Sequence, residues 1–297
     1  MKTQATLMAV LSLSLSASAH GQGWAAVDSA MGRAGIAQSD GVQRYNFPRG
    51  DLQVTAAGVR LKPSFALGGW VAIRRVPGAI HGDVAMAMGD LVLTEREVTP
   101  VVTVLEQGGV DVTAIHHHLI RESPRVLYVH VHAIDDPVKI ARTIHAALAL
   151  TRTPPPVAAA PPAAAVTLPL DTAAIASALG RSGRVNGGVY QVSVPRADTI
   201  TEDGFAIPPV MGLSTAINFQ PTGDGKAAIT GDFVMLADEV NPVIRALRDH
   251  GIEVVSLHSH LLKEQPRLFF MHFWGNANAV TLARGLRAAL DRTHSRP

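Results

Sequence analysis

The sequence predicts an α+β protein made by tandem duplication. It consists of two similar sandwich domains, each with a β-α-β-β-α core after an upstream β segment, an order compatible with a ferredoxin-like unit. Three observations carry this. Residues 115–132, IHHHLIRESPRVLYVHVH, return at 257–274 as LHSHLLKEQPRLFFMHFW, at a constant offset of 142. Shorter matches repeat outside that segment: Met31-Gly32-Arg33-Ala34-Gly35 with Leu179-Gly180-Arg181-Ser182-Gly183, Pro48-Arg49-Gly50-Asp51 with Pro195-Arg196-Ala197-Asp198, and Gly89-Asp90-Leu91-Val92 with Gly231-Asp232-Phe233-Val234. Between the copies, Pro154 to Pro169 is rich in Pro and Ala and free of charge, a composition that builds no core and favours an extended linker. A period this long makes each copy a domain and not a solenoid repeat.

The elements follow in order. Residues 1–19 read as a signal peptide: Lys2 supplies the positive start, Ala5 to Leu15 a short apolar stretch, and Ala17-Ser18-Ala19 the small-x-small cleavage pattern. Cleavage there exposes His20, whose amine and imidazole suit a copper chelate. The first domain is expected over 24–152, the linker over 153–169 and the second domain over 170–293. Asp83 to Leu93 and Lys226 to Leu236 have strand character. Glu97 to Gln107 and Glu239 to His250 have helical apolar spacing, with Val98, Val101, Val102 and Leu105 on one side, and Gly109 and Gly251 end them. Two strands follow around Ser123-Pro124 or Gln265-Pro266. A last helix runs from Asp136-Pro137 to Leu150, with its counterpart from Ala277 to Asp291.

Composition narrows the function classes. The chain is 47% hydrophobic and 17% charged, which describes a well-buried globular protein. The formal charge of +2 and the lack of a Lys/Arg run interleaved with aromatics argue against nucleic acid as a partner. No segment approaches the roughly 20 apolar residues that cross a bilayer. With no cysteine there is neither a disulfide nor a lipid-attachment site, so the expectation is a soluble periplasmic or secreted protein.

Eight of the thirteen histidines fall in the two repeated stretches. Imidazole is the commonest protein metal ligand, so the clustering points to metal chemistry. Taking Pro124 as the centre of a hairpin sets His118 opposite His130 and His116 opposite His132, all even-numbered and therefore on one face. Around Pro266, His258, His260 and His272 repeat the pattern and Trp274 replaces the fourth histidine. Ile115, Leu119, Leu127, Val129 and Val131 alternate with the histidines, as do Leu257, Leu261, Phe269, Met271 and Phe273, so that side is expected to pack beneath the helices. The histidine side then faces solvent, the upstream β segment or the sister domain. His117 projects with the apolar set and is left out. Two sites result: His116, His118, His130 and His132 in the first copy, and His258, His260 and His272 in the second. Zinc is the expected ion and copper the alternative. Three neutral histidines leave a coordination position open, as hydrolytic zinc sites do. Glu122 and Glu264 sit in the turns as a general base, a further ligand or an orienting carboxylate. Arg125, Arg267 and Trp274 are candidate substrate contacts, although Arg125 and Arg267 also suit pairing with the nearby Glu. Asp90 and Asp232, each after Gly, read as turn or strand-end residues, and His81, His145, His250 and His294 as surface.

At Gly32-Arg33-x-Gly35, Pro48-Arg49-x-Asp51, Ala66-Leu67-Gly68-Gly69-Trp70, Met88-Gly89-Asp90-Leu91 and the His-x-His-Leu…Glu-x-Pro-Arg…His stretch, the chain resembles the LppY/LpqO family of exported bacterial proteins. The resemblance spans the mature chain. It implies export and brings no activity with it; the missing lipobox cysteine departs from a lipoprotein form. Two functional classes remain open: a metal-dependent hydrolase acting on an envelope substrate, and a non-catalytic module that binds an envelope polymer or protein through the His/Trp face.

Overall fold

The computed structural model describes residues 23–76, 83–156 and 167–296. The expected signal peptide, His20, His81 and the middle of the linker lie outside the described residues. The first copy begins with helix α1 (Ala25–Met31). Strands β1 (Ile36–Ala37) and β2 (Val42–Pro48), a small hairpin of β3 (Thr55–Ala56) and β4 (Val59–Arg60), and the short helix α2 (Pro63–Ala66) come next. Then follow β5 (Gly68–Arg75), β6 (Ala85–Thr94), α3 (Glu95–Gln107), β7 (Asp111–His116), β8 (Glu122–Ser123), β9 (Val126–Asp135) and α4 (Pro137–Leu148). The second copy repeats this as α5 (Thr172–Leu179), β10 (Arg184–Asn186), β11 (Val189–Pro195), β12 (Thr201–Glu202), β13 (Phe205–Ala206), β14 (Ser214–Gly223), β15 (Lys226–Met235), α6 (Ala237–Asp249), β16 (Glu253–His258), β17 (Phe269–Asn278) and α7 (Ala279–Leu290).

Each copy is one antiparallel six-stranded sheet, ordered β1-β2-β5-β6-β9-β7 and β10-β11-β14-β15-β17-β16, position for position the same. A ferredoxin-like unit needs a strand after the second helix. Here the place beside β6 is held instead by β5, which precedes it, and likewise by β14 beside β15. Odd-numbered side chains of β6 and β9 (Leu91, Leu93, Val129, Val131) pack under the helices with Leu105, Ile140 and Ile144. Even-numbered ones face the other copy. Met86 and Met88 share a cluster with Leu261 and Phe270, and Val92 and Tyr128 share one with Trp274 and Ala228. The two sheets therefore lie face to face between outer helix layers. This explains why β6 is buried along nearly its whole length and not on alternate residues.

The hairpin differs from its expected register. His116 lies opposite Tyr128 and His130 opposite Ala114, with a bulge between Val112 and Ala114; His258 likewise lies opposite Phe270. His118 and His260 fall just beyond their strands. The slip equals four residues on one strand, an even step, so every histidine keeps its face. The expected apolar set divides. Val129 and Val131 enter the helix-side core, Ile115 and Leu257 are each 49% exposed on the edge strands, and Leu119 and Leu261 turn into the inter-sheet clusters.

The repeated Pro-Arg-x-Asp motif is a buried clip. Arg49 is 1% exposed and donates to the Val92 carbonyl at 2.6 Å, to Asp51 at 2.9 Å and to both Glu97 oxygens at 2.8 and 3.1 Å. Glu97 also caps its own helix by accepting from the Thr94 amide at 2.8 Å. Arg196 repeats the pattern with Val234, Asp198 and Glu239. One guanidinium thus ties the end of β2, the end of β6 and the start of α3 together.

Two outcomes follow from the clip. Arg196→Ala leaves two carboxylates without their counter-charge and lowers the unfolding free energy by about 3–5 kcal/mol in urea titrations. Burial works to raise the Glu97 carboxyl's pKa, but Arg49 and the backbone amides outweigh it and hold it below the ordinary 4.5. Its stabilisation is therefore present above pH 4.5 and is lost as pH falls through the lowered native value. Glu97→Gln should flatten that acid limb, and an unchanged limb would contradict the assignment.

Candidate metal centre

The inter-sheet face brings the two predicted sites together into one. His116 stacks on His258 at 3.8 Å between ring centroids and His118 on His272 at 3.7 Å, and His130 lies tilted against His260 at 3.8 Å. Every close pair joins one copy to the other. Ligand atoms of three overlapping trios fall within 4.8 Å of one another: His116, His258 and His272; His116, His118 and His130; and His130, His258 and His260. Tyr128 covers one end by stacking on His118 at 3.4 Å, and Phe270 covers the other by stacking on His260 at 3.4 Å.

Backbone contacts aim the rings. His130 Nδ1 donates to the Gly89 carbonyl at 3.2 Å and His272 Nδ1 donates to the Gly231 carbonyl at 2.7 Å, since a carbonyl can only accept. Each contact fixes the tautomer and leaves the Nε2 lone pair facing the centre. His272 Nε2 comes to 3.2 Å from His116 Nε2. The centre holds several other buried ring nitrogens with no hydrogen-bond partner: His116 Nδ1, His118 Nε2, His130 Nε2, both nitrogens of His258, and His260 Nε2.

Two carboxylates that the sequence reading set aside belong here. Asp90 sits opposite His130 on β6 and Asp232 opposite His272 on β15. Asp90 Oδ2 is 3.3 Å from His118 Nε2, and Asp232 Oδ2 is 2.9 Å from His260 Nε2. Both approaches lack hydrogen-bond alignment, and Oδ1 of each carboxylate is also buried without a partner. Each carboxylate thus stands beside one histidine of the cluster, while the ligand trios themselves are made of histidines alone. The carboxylates' signal in the sequence was the repeated Gly-Asp at even positions of two-sided strands. The glycine has its own role. A Cβ on Gly89 would come to 2.7 Å from the Trp70 carbonyl oxygen, and one on Gly231 would collide with the Ala216 carbonyl.

Burial sets the electrostatics. It drives His116, His118, His130 and His258 well below the ordinary imidazole range, helped by the repulsion of neighbouring rings, and brings His272 down to about 3. The same burial, with Asp232 nearby, pushes the Asp90 carboxyl up to about 7 against the pull of His260 and Arg44. Those five rings are therefore neutral, and neutral imidazole is the ligand form. Buried His groups that can hold a metal ion are what this geometry provides.

The other predicted site residues lie elsewhere. His132 is outside the cluster, with Nε2 at 2.8 Å from Glu202 Oε2. Glu122 approaches His117 Nδ1 at 3.5 Å and contacts no cluster ligand. Glu264 is buried, accepting from Arg267 at 3.2 Å and from the Leu268 amide at 2.9 Å, so it shapes the loop. Arg267 is thereby paired, Arg125 is exposed on the loop, and Trp274 is 3% exposed against the Phe65 ring. His145 and His250 are exposed, as expected, and their rings bond to the Met31 and Ala246 carbonyls.

A face-to-face pair of repeats sharing a histidine-rich core defines the class. The chain belongs to the family described as Domain of Unknown Function (DUF1259), whose model matches it twice, over residues 25–150 and 173–292. No match was found among curated proteins. Among solved structures the chain is similar to EtuB from Clostridium kluyveri, at 10% identity and TM-score 0.20, and to the trimeric bacterial microcompartment shell protein PduB, at 12% identity and TM-score 0.19. Each comparison covers 86% of this chain and 90% of the other. Scores this low carry no argument.

Gly231→Ala tests the geometry. Its methyl would collide with the Ala216 carbonyl and the Phe273 ring, so β15 must shift and carry with it the Gly231 carbonyl that holds His272. We expect a loss on the order of 3 kcal/mol in stability, with weaker metal uptake in the protein that remains folded, measured by denaturation and by metal titration.

Proposed function

We propose that this chain is an exported metalloprotein whose two copies jointly hold a divalent ion, zinc first and copper as the alternative, at the six-histidine junction. One observation carries the reading: ring nitrogens from both copies converge in a buried space, and most of them have no hydrogen-bond partner. A buried acceptor left unpaired costs free energy, and a cation shared among acceptors removes that cost. The leader-like residues 1–19, the absence of cysteine and the likeness to the LppY/LpqO proteins support export to the periplasm or beyond. Among the described residues no helix is long and apolar enough to cross a membrane.

A metal-dependent hydrolase is the enzymatic form of this proposal. A bound divalent ion supplies an activated water at neutral pH. Asp90 and Asp232, touching His118 and His260, replace Glu122 and Glu264 as the groups placed to take a proton from it. The binding-module alternative loses its surface, because Trp274 and most of the histidines face inward.

Elemental analysis of untagged protein after reconstitution tests the proposal. We expect at least about one equivalent of zinc or copper per chain, a rise in melting temperature on loading, and loss of both in His116→Ala and His258→Ala. Less than about 0.2 equivalents, unchanged by His118→Ala and His260→Ala, would overturn it.

A further inference from the structure

The two copies match closely at the centre and diverge one step along the same strands. His132 follows His130 by two residues on β9, and the 142-residue offset makes Trp274 on β17 its counterpart. The partner across the interface has diverged as well. Glu202 pairs with Phe205 in the small hairpin of the second copy, as Ala56 pairs with Val59 in the first. Where the first copy's hairpin meets β17, Ala56 and Trp274 share an apolar cluster with Phe65, and the space is filled. Where the second copy's hairpin meets β9, Glu202 and His132 line a cavity of about 200 Å³, with Asp111, Asp203, Leu262 and Lys263 also in its walls.

The polar pair is deeply placed. Glu202 is 3% exposed and His132 is 8% exposed. Glu202 Oε2 and His132 Nε2 lie 2.8 Å apart, yet the approach is out of line for a hydrogen bond and neither atom has another partner. A buried carboxylate oxygen without a donor is expensive, and its natural complement is a charged donor entering from the cavity. Asp111, the cross-strand neighbour of His132, and Asp203 add further negative charge against one lysine. A metal ion needs a third converging donor. Among the described residues, every group of three or more such donors belongs to the histidine cluster. An ammonium group needs only acceptors.

We propose that this cavity binds a short primary alkylammonium ligand, with its charged head in the cavity against the Glu202 carboxylate and beside His132. A second cationic end, as in a diamine, meets Asp111 and Asp203. This site is separate from the metal centre and does not depend on that centre being loaded. The Trp274/Ala56 arrangement is its closed counterpart within the same molecule.

Calorimetric titration with putrescine, run on metal-free and zinc-reconstituted protein with 1,4-butanediol as the uncharged control, tests the proposal. We expect saturable one-to-one binding of putrescine in both preparations, no binding of the diol, and an affinity at least about tenfold lower in Glu202→Gln. The double variant His132→Trp/Glu202→Ala transplants the pair that already packs in the other copy. It should fold, keep its metal content and lose putrescine binding. Absence of binding up to about 10 mM, or equal affinity in wild type and both variants, overturns the proposal. A zinc equivalent beyond those of the histidine cluster that disappears in Glu202→Gln overturns it too, because it would make the cavity an ion site.

Discussion

Two sheets pressed together through their histidine faces impose the constraint on which the rest of the molecule depends. The rings of one copy meet the rings of the other, and most of their inward nitrogens have no hydrogen-bond partner. A hydrophobic interface tolerates small slips, but this one does not. Ring packing near 3.7–3.8 Å across the junction fixes the spacing of the sheets, and the Gly89 and Gly231 carbonyls fix which nitrogen points inward. The glycines are thus part of the centre although they offer it no side chain.

The buried arginines serve the same end from a distance. Arg49 and Arg196 hold the ends of β6 and β15 to the helices that follow them. Those two strands carry Asp90 and Asp232. The clip faces the outer helix layer while the aspartates face the inner one, so one strand transmits the rigidity of its end to the carboxylate at its middle. Arg121 of the first copy adds a bidentate pair to Glu253 of the second at 2.8 and 3.0 Å, across the rim of the junction. Exposed pairs of this kind contribute little stability and mainly favour one orientation of the sheets over its neighbours.

Much of this was legible in the sequence. The duplication, the element order of each core and the common face of the histidines follow from repeated spacing and strand parity, and parity survives the four-residue difference in register because that difference is even. Periodicity reports which face a residue occupies and not what that face meets. Hence the sequence divides six clustered histidines between two sites when the fold brings them into one, and it groups His132 with His130 although its partner, Glu202, is seventy residues away. Asp90 and Asp232 were read as turn residues because Gly-Asp commonly marks a turn. Here the glycine makes room for a neighbouring strand. Glu122 and Glu264 show the converse, since a carboxylate close to histidines along the chain was directed by the loop toward its own backbone and arginine.

The closed and open counterparts at Trp274 and His132 bear on why both copies reside in one polypeptide. The centre itself has the symmetry of a dimer, and two identical single-copy chains would build the same six-histidine junction. In such a dimer every substitution appears twice. A tryptophan that seals one cavity would seal both, and a glutamate that opens one would open both. Joining the copies covalently releases these positions from that equality, so one can remain a plug that secures the interface while the other becomes a chamber. Fusion leaves the shared core unchanged and gives the protein a left and a right.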